Sequence, residues 1–184
     1  VYKRQPSRQL PHEVKKLLDE VGETETCHSG PFPESWLVMV RVLGEPVAVN
    51  RDDERAVFSK RRSLELLTWM ALNRDRSTRS SARNALWEVS VADSTFATVL
   101  SDMRRGLARV APLPEDNCWS PVTYSDDLPL AGHLITDVDA LWSAVHSRGR
   151  EDLLGALSLV RDFPFAGTAW LWPDLDGSTT RAVI

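Results

Sequence analysis

Residues 94–110, STFATVLSDMRRGLARV, constrain the fold more than any other segment. At about 100° per residue, Val99, Leu100, Met103, Leu107 and Val110 fall within roughly 60° of Phe96, so a single apolar stripe runs along a helix. Thr98, Ser101, Arg105 and Arg109 lie opposite, and Arg104 sits on the flank. Ser94 stands where an N-cap belongs, its hydroxyl able to accept an orphaned backbone N–H. Such a helix has to bury one side and keep guanidinium and hydroxyl groups wet on the other. That division suits the DNA major groove. Asp102 places one carboxylate within the same helix.

Charge becomes informative only when divided by segment. The 184 residues carry a formal net charge of −4. Residues 1–35 hold 5 basic and 6 acidic side chains, and residues 137–184 hold 4 and 7. Between 60 and 109 there are 10 basic against 5 acidic residues, a local balance of +5. An acidic total therefore hides a basic middle, and the local field is what steers a polyanion. No apolar run reaches the length of a bilayer span. Cys27 and Cys118 stand far apart in polar surroundings, which points to a reducing, cytoplasmic compartment rather than a disulfide framework. The chain opens on Val1 and stops at Ile184 within an apolar stretch, so both ends read as truncations of a longer protein, one that could be membrane-tethered elsewhere.

Along the chain, residues 1–35 read as a linker, partly disordered, with one short amphipathic stretch at 12–21 broken on both sides by proline and glycine. From Trp36 the pattern turns to strands. WLVMVRVLG places Val38, Val40 and Val42 on one side of a pleat; VAVN and AVF follow after polar turns. An antiparallel three-stranded leading sheet is expected. The acidic trio Asp52, Asp53 and Glu54 is a solvated hairpin turn in this reading. Three helical stretches come next: SKRRSLELLTWMALNRD; STRSSARNALWE, with a cap signal at Ser77-Thr78 and Ala82, Ala85 and Leu86 buried; and 94–110 itself. Trp87 is a core plug beneath the turn. Helix, short turn and helix with a basic outer side make the helix-turn-helix pattern.

After Pro112 and Pro114, the runs WSPVTYS and LPLAGHLIT flank Asp126-Asp127 and predict a hairpin wing. Two carboxylates at its tip repel phosphates, leaving Thr123 and Tyr124 as the wing's contacts. From Asp137 the chain turns helical again. Val138, Leu141, Trp142 and Val145 share one side of a first helix, and Leu153, Leu154, Leu157 and Val160 one side of a second. This reads as the start of a helical repeat that needs further repeats to cover its apolar face. Catalysis has no support: His12, His28, His133 and His146 are scattered, neither cysteine has metal-type spacing, and phosphate-loop and nucleophile-elbow motifs are absent. Asp174 and Asp176 before Gly177 lack the remaining ligands of a calcium loop and read as a turn. The sequence thus calls for no cofactor and no metal.

The expected fold is α+β: a winged helix-turn-helix over 36–136, with N-terminal antiparallel strands, three helices and a C-terminal β-hairpin wing, then a partial all-α segment over 137–184. Residues 36–136 resemble an OmpR-type winged-helix DNA-binding domain. The resemblance rests on LGEPVAV, KRRSLELLTWMALNRDRSTR, the Ala85-Leu86-Trp87 step and VLSDMRRGLARV. TDVDALWSAV and ALSLVRDFPFAGTAWLW are similar to the start of a bacterial transcriptional activator domain, a pairing typical of actinobacterial activators of the antibiotic-regulatory type. The resemblance implies sequence-specific binding of double-stranded DNA and recruitment of RNA polymerase, and it leaves open a homodimer on direct repeats. It assigns Thr98, Ser101, Arg104 and Arg105 to base contacts. Phosphate contacts fall to Arg61, Arg62, Arg79, Ser80, Arg83, Ser94, Arg109, Thr123 and Tyr124. The alternative is a winged-helix module that binds protein and no DNA.

Overall fold

The computed structural model describes residues 35–113, 117–147 and 149–175. The stretch 12–21, Pro114, Asp176 and Gly177 lie outside them. The fold is α+β. Strand β1 (Val38–Arg41) pairs antiparallel with β2 (Val47–Asn50), and β3 (Leu134–Thr136) joins the other edge of β1 in parallel, giving the order β2-β1-β3. Val38, Val40 and Val42 share the face turned to the main core, as their alternation predicts. Met39, Val49 and Ile135 form a smaller cluster on the opposite face.

Two expected strand pairings are replaced. AVF does not form a third strand; it follows a tight turn, with Asp53 at φ 63°, in which Arg55 makes an isolated bridge with Val49, and AVF itself contributes a bond from Ala56 N to Ala48 O. The hairpin wing is likewise not paired as strands among the described residues. Its second arm supplies β3 to the leading sheet instead. The reason lies in the residues. Leu134, Ile135 and Thr136 are all buried, and a solvent-exposed hairpin covers only one face of a strand. Pro121 and Pro129 each remove a ladder donor from the arms. What remains of the wing is held to the start of the second helix. Arg79 N donates to Asp126 O at 2.8 Å, Leu128 N to Ser77 O at 2.9 Å, and Thr78 bridges Asp127.

Helix α1 (Arg61–Leu72), a 3-10 turn at Arg74–Arg76, α2 (Arg79–Leu86) and α3 (Asp93–Val110) pack beneath the sheet, with α1 touching α2, α3 and β1. Thr78 caps α2 by accepting Ser81 N at 3.0 Å, as the Ser77-Thr78 signal implies. Ser94 is not the cap of α3. The helix begins one residue earlier, and Asp93 supplies the negative charge its first turn favours. The stripe of α3 lands where its periodicity puts it: Phe96, Val99, Leu100, Met103 and Leu107 are buried against Leu66, Leu67 and Met70.

Gly106 lets this helix approach the segment before α1. A Cβ there would stand 2.5 Å from the Phe58 ring and 3.0 Å from Val57 O. Alanine ordinarily gains about 1 kcal/mol over glycine inside a helix. Here the clash reverses the sign, and Gly106→Ala is expected to lower stability by about 1–3 kcal/mol. A thermal midpoint at or above the wild-type value would contradict this packing.

The main core does not stop at the expected boundary between 136 and 137. Val138, Phe165 and Trp172 belong to the same cluster as Val42 and Leu66. Helices α4 (Asp137–Ser147) and α5 (Arg150–Leu157) pack together, burying Ala144 and Ala156 completely. Their predicted stripes are only partly used. Val138 is buried, whereas Trp142, Val145, Leu154 and Val160 stay 45–48% exposed, because the pair closes on its alanines and leaves the bulky residues outside. The chain then returns to the sheet: Arg161 N donates to Leu43 O and Phe165 N to Val42 O, each at 2.9 Å. Gly44, at φ +133°, makes the turn that receives them, and a Cβ there would lie 3.1 Å from that of Arg161. A last short helix, α6 (Trp172–Leu175), sets Trp172 edge-on to Phe165 at 5.5 Å. Among the described residues, no helix is long and apolar enough to cross a membrane.

Candidate nucleic-acid interface

Helix α3 places Thr98, Ser101, Arg105 and Arg109 in one exposed row, spaced by three or four residues. At 1.5 Å per residue the row runs about 16 Å. Thr98 Oγ1 donates back to Ser94 O at 2.8 Å, which fixes its methyl and hydroxyl orientation; Ser94 itself is exposed in the first turn. Arg105 keeps 61% of its side chain exposed and approaches Asp102 at only 3.7 Å, so its guanidinium remains available. Arg109 is exposed one turn further on. Arg104 is half-buried beside the row, not in it.

Asp102 does not face the solvent side at all. It is 4% exposed and reaches across to the start of α1, where it accepts Lys60 N at 2.8 Å, Ser59 N at 3.3 Å and the Ser63 hydroxyl at 2.8 Å. Lys60, the N-cap residue, makes no cap bond of its own, so a carboxylate from α3 caps α1 instead. Burial pushes the Asp102 carboxyl up, but those donors outweigh it and hold the group below the usual carboxylate range. The one negative charge within 94–110 is thus spent inside the fold. A signal was present in the sequence: Asp102 lies in register with Val99 and Gly106, both buried.

The phosphate set expected from sequence divides in two. Arg61 is exposed at the start of α1, and Tyr124 is fully exposed. Several others are engaged internally. Arg62 binds Glu65 at 2.6 Å and lies 5.7 Å over the Trp87 ring, which makes Trp87 a platform rather than a simple plug. Burial pushes the Glu65 carboxyl up, and Arg62 opposes that rise without cancelling it. Arg83 binds Asp93 at 2.7 Å and lies 5.0 Å over Phe96, tying α2 to α3. The Ser80 amide is turned to the Asp126 carboxylate at 3.2 and 3.4 Å, and Thr123 donates its hydroxyl to Asp127 O at 2.7 Å. The acidic pair therefore does not project as a free tip: Asp126 occupies the amide end of α2, a place where anions are ordinarily favoured. Sequence reasoning missed this contact because nothing local links residue 126 to residue 80.

An open groove of about 520 Å³ runs between α2 and the following loop, lined by Ser80, Arg83, Asn84, Trp87, Val89 and Val91 among others. No group of three or more His, Cys, Asp or Glu among the described residues could hold a metal ion. No protein-family model and no curated protein matches the chain.

Proposed function

We propose that this chain is a sequence-specific DNA-binding transcriptional regulator that lays α3 in the major groove. The observation that carries the reading is the division of α3 into a buried apolar side and one exposed row of Thr98, Ser101, Arg105 and Arg109, with Asp102 withdrawn into the core. Arginine and hydroxyl side chains at this spacing match the acceptor-rich edge of guanine and the mixed edges of other bases. Arg61, outside the row, and Arg109, at its end, serve as backbone contacts, and the basic middle of the chain supplies the attraction that brings a duplex in. The helix order and the resemblance to OmpR-type winged helices agree with this role, although the wing does not form as a hairpin. Recruitment of RNA polymerase through the segment after Asp137, and pairing on direct repeats, follow from the resemblance alone.

The test is selection of duplexes from a random pool, followed by affinity measurements over a range of salt. A regulator of this kind loses affinity linearly in log salt, by about 0.9 for each phosphate neutralised. Arg105→Ala is expected to reduce discrimination between the selected duplex and one altered at a single position by about 10- to 100-fold, corresponding to about 1–3 kcal/mol per lost bidentate contact. Wild-type affinity that ignores salt, or selection that yields no common sequence, would leave the protein-binding module as the better reading.

A further inference from the structure

Thr98 opens the exposed row of α3, yet its hydroxyl is not free to donate. Oγ1 gives its proton to Ser94 O at 2.8 Å, one turn back along the same helix. What Thr98 offers a partner is then its γ-methyl, together with an oxygen that can only accept. The surface beside it leaves room for a base to approach, because the neighbouring Ala97 is exposed, small and without a polar group. A β-branched residue on an exposed helix face slightly lowers helix stability, so helix formation gives no reason for the methyl. Serine would make the same bond to Ser94 without it. In the major groove thymine alone among the four bases presents a methyl, at C5, and a threonine methyl meets it by apolar contact. Guanine presents only acceptors there, and the Thr98 hydroxyl has no proton left for them. Arg105, two turns further along with 61% of its side chain exposed, is the group suited to guanine.

We propose that Thr98 reads a thymine through its 5-methyl group, so that the duplexes bound by this chain carry a thymine facing the first half of α3. Thr98 then acts by methyl contact rather than by a hydrogen bond, and the polar reading falls to the residues after it. The inference rests on the DNA-binding reading above and narrows it to one class of duplex.

The probe is the duplex that the full chain recovers from a random pool, remade with deoxyuridine in place of each common thymine in turn. Deoxyuridine keeps every hydrogen-bonding group of thymidine and removes only the methyl. At one position the exchange is expected to weaken wild-type binding by about fourfold, the effect of one methyl-sized group removed from water. Thr98→Ser, which keeps the bond to Ser94, should show the same loss on the thymine duplex and no further loss on the deoxyuridine one. Thr98→Val, which keeps the methyl and drops the hydroxyl, should retain the wild-type preference for thymine. The proposal is overturned if no exchange changes binding, or if the recovered sequences share no thymine. It is also overturned if Thr98→Ser stays as sensitive to the exchange as wild type, or if Thr98→Val loses the preference. None of these outcomes touches the DNA reading while the recovered duplex is bound in a salt-dependent way. A wild-type chain that recovers no duplex fails that reading, and the thymine contact falls with it.

Discussion

Asp137→Ala is expected to destabilise the protein by roughly 2–6 kcal/mol, because it strands two buried donors at about 1–3 kcal/mol each. Asp137 is fully buried directly after β3. Its carboxylate accepts Val42 N through both oxygens at 2.9 Å and Leu43 N at 2.9 Å. These amides lie just past the end of β1, where the chain leaves the sheet and no strand supplies an acceptor. The same residue starts α4, so one side chain joins the sheet to the helices that follow. Chemical denaturation measures the loss, and a change below about 1 kcal/mol would mean that the Val42 and Leu43 amides find other acceptors.

The pH dependence of this site has a definite sign. Burial pushes the Asp137 carboxyl up, and the Leu43 and Val42 amides together with Arg161 only partly offset the rise. The native state therefore holds this proton more firmly than the unfolded chain does. Its contribution is fully present below the unfolded value of about 4 and is lost as pH rises through the raised native value. Asp137→Asn lacks that titration, so the stability gap between wild type and Asp137→Asn should narrow as pH rises from about 4 towards neutrality.

Asp102→Ala is expected to cost about 3 kcal/mol, chiefly the loss of its two shorter charge-assisted bonds, from Lys60 N and the Ser63 hydroxyl, at about 1.5 kcal/mol each. For a chain of this size that corresponds to a fall of roughly 6–12 °C in the thermal midpoint. Here the sign is opposite. The donors from Lys60, Ser63 and Ser59 overcome burial and depress the carboxyl, so the stabilisation is present above the unfolded value and disappears as pH falls through the native one. The gap between wild type and Asp102→Asn should therefore be widest near neutrality and close in acid. Parallel pH profiles for the Asp102 and Asp137 variants would contradict the environments assigned to both.

The two aspartates also show what could be read before the structure was known. The stripe of α3 was legible because Phe96, Val99, Leu100, Met103 and Leu107 repeat at the helical period, and that period survives whatever the helix packs against. The exposure of Thr98, Ser101, Arg105 and Arg109 follows from the same arithmetic. The cap at Thr78 was legible because it acts three residues away, on Ser81. The hairpin wing was not, because alternation and a turn signal are compatible with several strand partners. The buried Leu134–Thr136 run pairs where both faces can be covered, which is beside β1. Nor could the sequence tell which arginines stay free. Arg62 and Arg83 are claimed by Glu65, Asp93 and two aromatic rings, whereas Arg105 and Arg109 keep their outer surfaces.

What the amino-acid order determined by itself is the set of local faces: which side of each helix is apolar, where α2 begins, and that the basic residues concentrate between 60 and 109. What only the tertiary structure decided is where the lone carboxylates go. Asp102 finds amides 42 and 43 residues away, and Asp137 finds amides 94 and 95 residues away. A helical or strand period is written within one element by backbone geometry. A buried hydrogen bond between distant segments depends on which surfaces the core brings together, and that choice is made by the whole chain at once.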